Sequence, residues 1–114
     1  MKAFVITILE NKRSVESANR CIASGKHHGI KIEKFQAVTP DDDPVSLLKR
    51  EGIDPAKFDE KYSRNLNCMS AFLSHHTLWQ MCAKENENFI IFEHDAVIYD
   101  SMPPAYPNFV MNLG

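Results

Sequence analysis

Glycine is scarce: only four occur and none clusters after the first apolar run, which argues against a P-loop or a glycine-rich dinucleotide fingerprint. Cysteine is scarcer still. Cys21, Cys68 and Cys82 are an odd number with no CxxC pair, so neither a disulfide framework nor a zinc site is indicated, and a reducing cytoplasm fits best. Excess positive charge is missing as well. With 13 Lys and Arg against 15 Asp and Glu, the formal net charge is -2 and no field draws in nucleic acid or an anionic membrane. An anionic ligand must therefore be held locally. No apolar run approaches the roughly 20 residues that span a bilayer, so no transmembrane segment is expected. The opening, MKAFVITILENKR, has an apolar stretch of seven residues that runs into Glu10 and Lys12 without a small-residue cleavage site. It reads as a first strand, not a signal peptide.

What is present suits one folded domain over residues 1–114. Hydrophobic residues make up 44% and charged residues 25%, far from the signature of disorder. At this length folding buries roughly two-thirds of the unfolded chain's surface, enough for one core. Residues 3–9, AFVITIL, predict a buried strand because β-branched and apolar side chains dominate them. A helix is expected from Ser14, with Val15, Ala18, Ile22 and Gly25 at helical spacing, Lys26, His27 and His28 at the negative end of its dipole, and Gly29 as the stop. Residues 30–38, IKIEKFQAV, predict a second strand in a lateral position, since their alternation shifts midway. Asp43-Pro44 and Asp54-Pro55 each read as a capping carboxylate before a helical first residue, and the three aspartates at 41–43 as a solvated turn without chemistry.

Residues 69–85 predict a core helix with Phe72, Leu73, His76, Trp79 and Ala83 on one wide face. The apolar run FIIF at 89–92 lacks alternation and predicts a strand covered on both faces. A last candidate strand lies at 109–113. The repeated order of helix then strand is that of doubly wound α/β folds.

Directly after the run at 89–92 stand Glu93, His94 and Asp95. Ligands of open α/β sheets sit beyond the carboxyl ends of the strands, and strand alternation would aim Glu93 and Asp95 one way and His94 another. Two readings stay open. The carboxylates could hold a hard divalent cation, Mg²⁺ or Mn²⁺, which accepts one or two carboxylates and completes its shell with phosphate oxygens and water. They could equally be bonded to helix N-termini or basic residues, because a buried unpaired carboxylate costs several kcal/mol. The pairs His27-His28 and His75-His76 cannot chelate, since helix neighbours diverge by about 100°. His75, next to Ser74, is either a buried hydrogen-bonded histidine or one that faces a ligand.

Together, SAFLSHHTLWQMC, a short polar break and FIIFEHDAV resemble the signature of family 25 glycosyltransferases, relatives of lipopolysaccharide and collagen galactosyltransferases. The family pattern runs approximately GCxLSHxxLWxxC, a polar gap, then ILILEDDA. Leu73, Ser74, His75, Leu78, Trp79 and Cys82 match it in place, as do Glu93, Asp95 and Ala96. The opening strand, a nearby arginine, a helix and a second strand ending FQAV also fit, so the resemblance spans nearly the whole chain. It implies a GT-A-type Rossmann-like sheet that binds a nucleotide sugar, here the N-terminal half of such a fold, truncated at the C-terminus. It further implies Asp95 as the primary ligand of Mn²⁺ or Mg²⁺, with Glu93 beside it on the metal or ribose. Thr7, Ile8, Leu9 and Arg13 would border the nucleotide, and Ser74 and His75 would lie near the donor site.

The chain departs from the pattern at four places. Ser70 and Ala71 replace Gly-Cys, His94 replaces the middle acid, and Thr7 stands where the first motif has asparagine. The expected activity is metal-dependent transfer of a hexose, with inversion, from a nucleotide sugar (UDP-hexose by resemblance) to a glycan hydroxyl, with the catalytic base unassigned. Competing expectations are a shortened nucleotide-binding or interaction module without transfer activity and an unrelated metal-dependent phosphohydrolase. An open sheet edge at 109–113 would favour a homo-oligomer.

Overall fold

A computed structural model of the chain describes residues 1–58 and 65–100. Its mixed α/β elements are β1 (Lys2–Thr7), α1 (Lys12–His27), β2 (Ile32–Gln36), α2 (Pro44–Arg50), α3 (Asn65–Glu85) and β3 (Phe89–Glu93). Short 3-10 turns occupy Pro40–Asp42 and Pro55–Phe58. The strand expected at 109–113, with its open edge, lies outside the described residues.

The three strands form an open parallel sheet in the order β2-β1-β3. The central strand is buried from Ala3 to Thr7 because it is paired on both sides and covered on both faces. Ala3 and Val5 pack with Ala18 and Cys21 of α1, whereas Phe4 and Ile6 turn to the opposite face and pack with Leu78 of α3. Strand side chains alternate between faces, so an uninterrupted apolar run supplies two cores at once. The run at 89–92 works the same way, with Ile90 and Phe92 toward α1's side and Phe89 and Ile91 toward α3's. These four residues are only half-buried, because no strand flanks the outer side of β3 among the described residues. As expected, β2 is lateral. A third cluster of Leu48, Met69 and Leu73 joins α2 to α3 away from the sheet.

Helix ends follow local chemistry. α1 begins before Ser14 because Asn11 supplies the cap, its Oδ1 accepting the Ser14 N–H at 3.0 Å. Beyond its last turn, Gly29 leaves the helix at φ +75°, which glycine adopts without a Cβ penalty. Asp43 caps α2, accepting from the Ser46 hydroxyl at 2.7 Å, and Asp42 accepts from the Thr39 N–H at 2.8 Å. Those two aspartates serve the turn and the cap. Asp54 opens only a 3-10 turn, its carboxylate accepting the Ala56 N–H at 3.0 Å.

α3 spans Asn65–Glu85, a turn more at its start than the sequence predicts, and hydroxyls within it bond to its own backbone. Ser70 donates to the Leu66 carbonyl at 2.7 Å, Ser74 to Ser70 at 3.0 Å and Thr77 to Leu73 at 2.9 Å. Its buried face carries Met69, Ser70, Leu73, Ser74 and Leu78, while Trp79 is 49% exposed. The cysteines are free, and burial pushes the Cys21 thiol up from its ordinary value. No helix among the described residues is long and apolar enough to cross a membrane.

Leu78 is fully buried between α3 and the sheet. Leu78→Ala should lower the unfolding free energy in urea by about 2–5 kcal/mol. A loss under about 0.5 kcal/mol, the scale of a surface change, would refute the packing of α3 on the sheet.

Candidate functional site

Because the strands are parallel, their carboxyl ends share one edge. The register sets Thr7 beside Gln36 and Ile6 beside Glu93, so the turns that leave β1, β2 and β3 emerge together. β1 is also where the chain's connections diverge: α1 leads to β2 on one side, and β3 lies on the other. Such a reversal opens a crevice at the carboxyl edge of an α/β sheet.

Glu93 and His94 leave β3 in opposite directions. The Glu93 carboxylate accepts from His75 Nε2 of α3 at 2.7 Å, whereas His94 Nδ1 meets the Ser14 hydroxyl of α1 at 3.0 Å. The strand stops at Glu93, where a turn is closed by the Ala96 N–H bonding back to the Glu93 carbonyl at 3.0 Å. Strand alternation therefore does not carry on to Asp95. That residue is exposed and has no hydrogen bond or ion pair among the described residues.

The remaining predicted residues divide by what their side chains do. Thr7 is buried, its hydroxyl bonded to the Val5 carbonyl at 2.9 Å. Ile8 is half-buried, Leu9 is exposed in the following turn, and Arg13 is exposed in the first turn of α1. Ser74 is buried with its hydroxyl engaged on both sides, donating to Ser70 and accepting the Val38 N–H at 2.9 Å. It fastens α3 to the chain leaving β2. His75 belongs to an aromatic group on α3, with its ring 6.1 Å from Trp79.

Sequence reasoning passed over other residues at this edge. Ser14, only 3% exposed, accepts the Ile8 N–H at 2.9 Å and contacts His94, and so joins the β1–α1 turn to the turn after β3. The one available signal was the spacing Asn11-x-x-Ser14, which resembles a helix start and hides the hydroxyl's tertiary role. Glu10 and Gln36 also meet here, with Gln36 Nε2 at 3.1 Å from Glu10 Oε2.

Among the described residues, no three His, Cys, Asp or Glu side chains converge as a ready-made metal cage. The carboxylates at this edge are Glu93 and Asp95 after β3 and Glu10 in the β1–α1 turn. A hard divalent cation is commonly held by one or two carboxylates together with substrate phosphates, so this donor set fits Mg²⁺ or Mn²⁺ and does not fit a structural zinc site.

The family model described as Glycosyltransferase family 25 (LPS biosynthesis protein) matches residues 1–110. No curated protein matches the chain.

The His75 bond holds the Glu93 carboxyl below its ordinary value, with the nearby imidazoles of His75 and His94 adding to the effect and burial opposing it. A lowered folded-state value means that the bond stabilises the fold above glutamate's ordinary range, and that this stabilisation is lost as pH falls through the lowered value. The pair is largely exposed, so its contribution is below about 1 kcal/mol. Glu93→Gln should trail the parent by that margin in urea at neutral pH, and the two curves should converge as pH falls from glutamate's ordinary range through the lowered value. A gap that widened in acid would mean the carboxyl is raised instead.

Proposed function

The chain belongs to glycosyltransferase family 25, and from that premise we propose that it carries the donor half of a metal-dependent hexosyltransferase. The donor in this reading is a nucleotide sugar, UDP-hexose, and the acceptor a glycan hydroxyl in lipopolysaccharide assembly on the cytoplasmic side. The sheet is read as the start of a GT-A-type Rossmann-like fold. One observation carries the proposal: in a chain of this family, the turns bearing Glu93 and Asp95 and the β1–α1 turn share one edge of a parallel sheet.

Each residue has a role in that reading. Asp95, exposed and without a partner among the described residues, is the principal carboxylate toward the cation. Glu93 is the second, held in orientation by His75. Ile8 and Leu9 border the nucleotide in this reading with the buried Thr7 behind them, and Arg13 adds positive charge at the first turn of α1, where a helix dipole already favours phosphate. Ser74 keeps the chain after β2 in place through Val38. The bound cation would supply Lewis-acid neutralisation of the charge on the departing nucleoside diphosphate. In this reading the acceptor oxygen would bond to the anomeric carbon as the bond to the nucleoside diphosphate breaks, with inversion, the diphosphate leaving and the hydroxyl proton passing to solvent.

Asp95→Asn keeps the shape of the side chain and removes its charge. Outer-shell partners of a metal contribute about 10- to 100-fold in affinity, so losing a direct ligand should weaken Mn²⁺-dependent UDP binding by at least that factor in calorimetry. Equal binding by the variant and the parent would remove Asp95 from the metal site. Binding of UDP and Mn²⁺ by the parent without hydrolysis or transfer from UDP-hexose would favour a nucleotide-binding module.

A further inference from the structure

The β1–α1 turn and the turn that carries Asp95 come from opposite ends of the described chain. Beyond the pairing of Ile6 with Glu93, the strand ladder no longer joins them. At this edge a buried hydroxyl joins them, while farther along the segment after β3 is also tied to α1 by the Ile98 N–H, which donates to Ser24 Oγ at 2.9 Å. Ser14 Oγ accepts the Ile8 N–H at 2.9 Å and lies 3.0 Å from Nδ1 of His94, a residue 80 positions away. A serine hydroxyl has one proton to give. With the Ile8 N–H directed at its oxygen, that proton is available to Nδ1 in the tautomer that carries the ring proton on Nε2. The backbone N–H of Ser14 donates to Asn11 Oδ1 at 3.0 Å, and the Asn11 N–H donates to the Ile8 carbonyl at 3.0 Å. The end of β1, the cap of α1 and the turn after β3 thus form one connected hydrogen-bond chain.

His94 also stands between two differently anchored neighbours. On one side Glu93 is tied to α3 through His75; on the other Asp95 has no partner among the described residues. A side chain without a partner of its own takes its direction from the backbone that carries it. Here that backbone is pinned at Glu93 to one layer of helices and at His94 to the other.

We propose that His94 is a positioning residue that, through Ser14, holds the Asp95 turn in register with the β1–α1 turn, so that the cation-binding carboxylate and the diphosphate wall face each other. The inference rests on reading this edge as a diphosphate and metal site. The side chain facing away from Glu93 is, on this account, the one that sets the direction of Asp95. A histidine suits the role because its Nδ1 stands close to the backbone, within reach of Ser14.

Variants of different reach test this. Asn carries its Oδ1 acceptor as many bonds from Cα as histidine's Nδ1, whereas Gln places its acceptor one bond farther out. Amide hydrogen exchange is measured on the whole chain for His94→Asn, His94→Gln, Ser14→Ala and the double variant Ser14→Ala/His94→Gln. The Ile8 amide and the amides of the turn after β3 should exchange faster in His94→Gln and Ser14→Ala and stay parent-like in His94→Asn. Mn²⁺-dependent UDP binding should fall about tenfold in His94→Gln and Ser14→Ala, the scale of an outer-shell partner, and be retained in His94→Asn. The double variant should be no weaker than either single one, since both remove the same link. Parent-like exchange in His94→Gln overturns the proposal, as does additive loss in the double variant. If the parent itself binds no UDP with Mn²⁺, the donor-site reading fails, and the exchange pattern alone then decides whether His94 joins the two turns.

Discussion

β1 hydrogen-bonds on both sides to strands that run in its own direction. Parallel pairing cannot be closed by tight turns, so each connection must cross a face of the sheet with a helix. α1 takes one face on the way to β2, and α2 with α3 lead on to β3, with α3 covering the other. The three strand ends therefore emerge at one edge, and each candidate residue from Thr7 to Asp95 acquires its place from that arrangement. Moving any one strand by a residue would exchange its two faces and dismantle both cores.

Where the ladder ends, backbone N–H groups lose their partners, and serine hydroxyls take over. Ser14 receives the Ile8 N–H, Ser74 the Val38 N–H and Ser24 the Ile98 N–H, each at 2.9 Å. A buried donor left without an acceptor costs about 1–3 kcal/mol, which makes these small hydroxyls more than filler. Ser24 and Ser74 also donate to carbonyls of their own helix, and Ser14 faces His94 instead. The same device that stabilises strand ends elsewhere thus links two turns at the candidate site. No buried side-chain nitrogen or oxygen lacks a partner among the described residues.

The two edges of the sheet differ in charge. At the amino edge the N-terminal ammonium pairs with Glu87 at 2.9 Å and Lys2 with Glu85 at 2.5 Å. These exposed pairs add little stability, yet they leave that edge electrically satisfied. At the carboxyl edge the Glu93 carboxylate is bonded to the His75 ring, and Asp95 is left toward solvent.

Periodicity and cap chemistry were enough to read most elements. AFVITIL and FIIF read as strands packed on two faces, Asp43-Pro44 read as the start of a helix, and the joint spacing of LSH, LW and the Glu-x-Asp pair pointed to the family that the family model matches. These features are local, so they survive without a fold. Helix boundaries were less legible where Ser70 and Ser74 bonded within α3 rather than capping it, and Trp79 read as core although half of it is exposed. The partners of Glu93 and His94 were not legible at all. His75 and Ser14 reach them from opposite layers of the sheet, and contact between residues 18 and 80 positions apart is decided by the crossing of helices over strands, which no local pattern encodes.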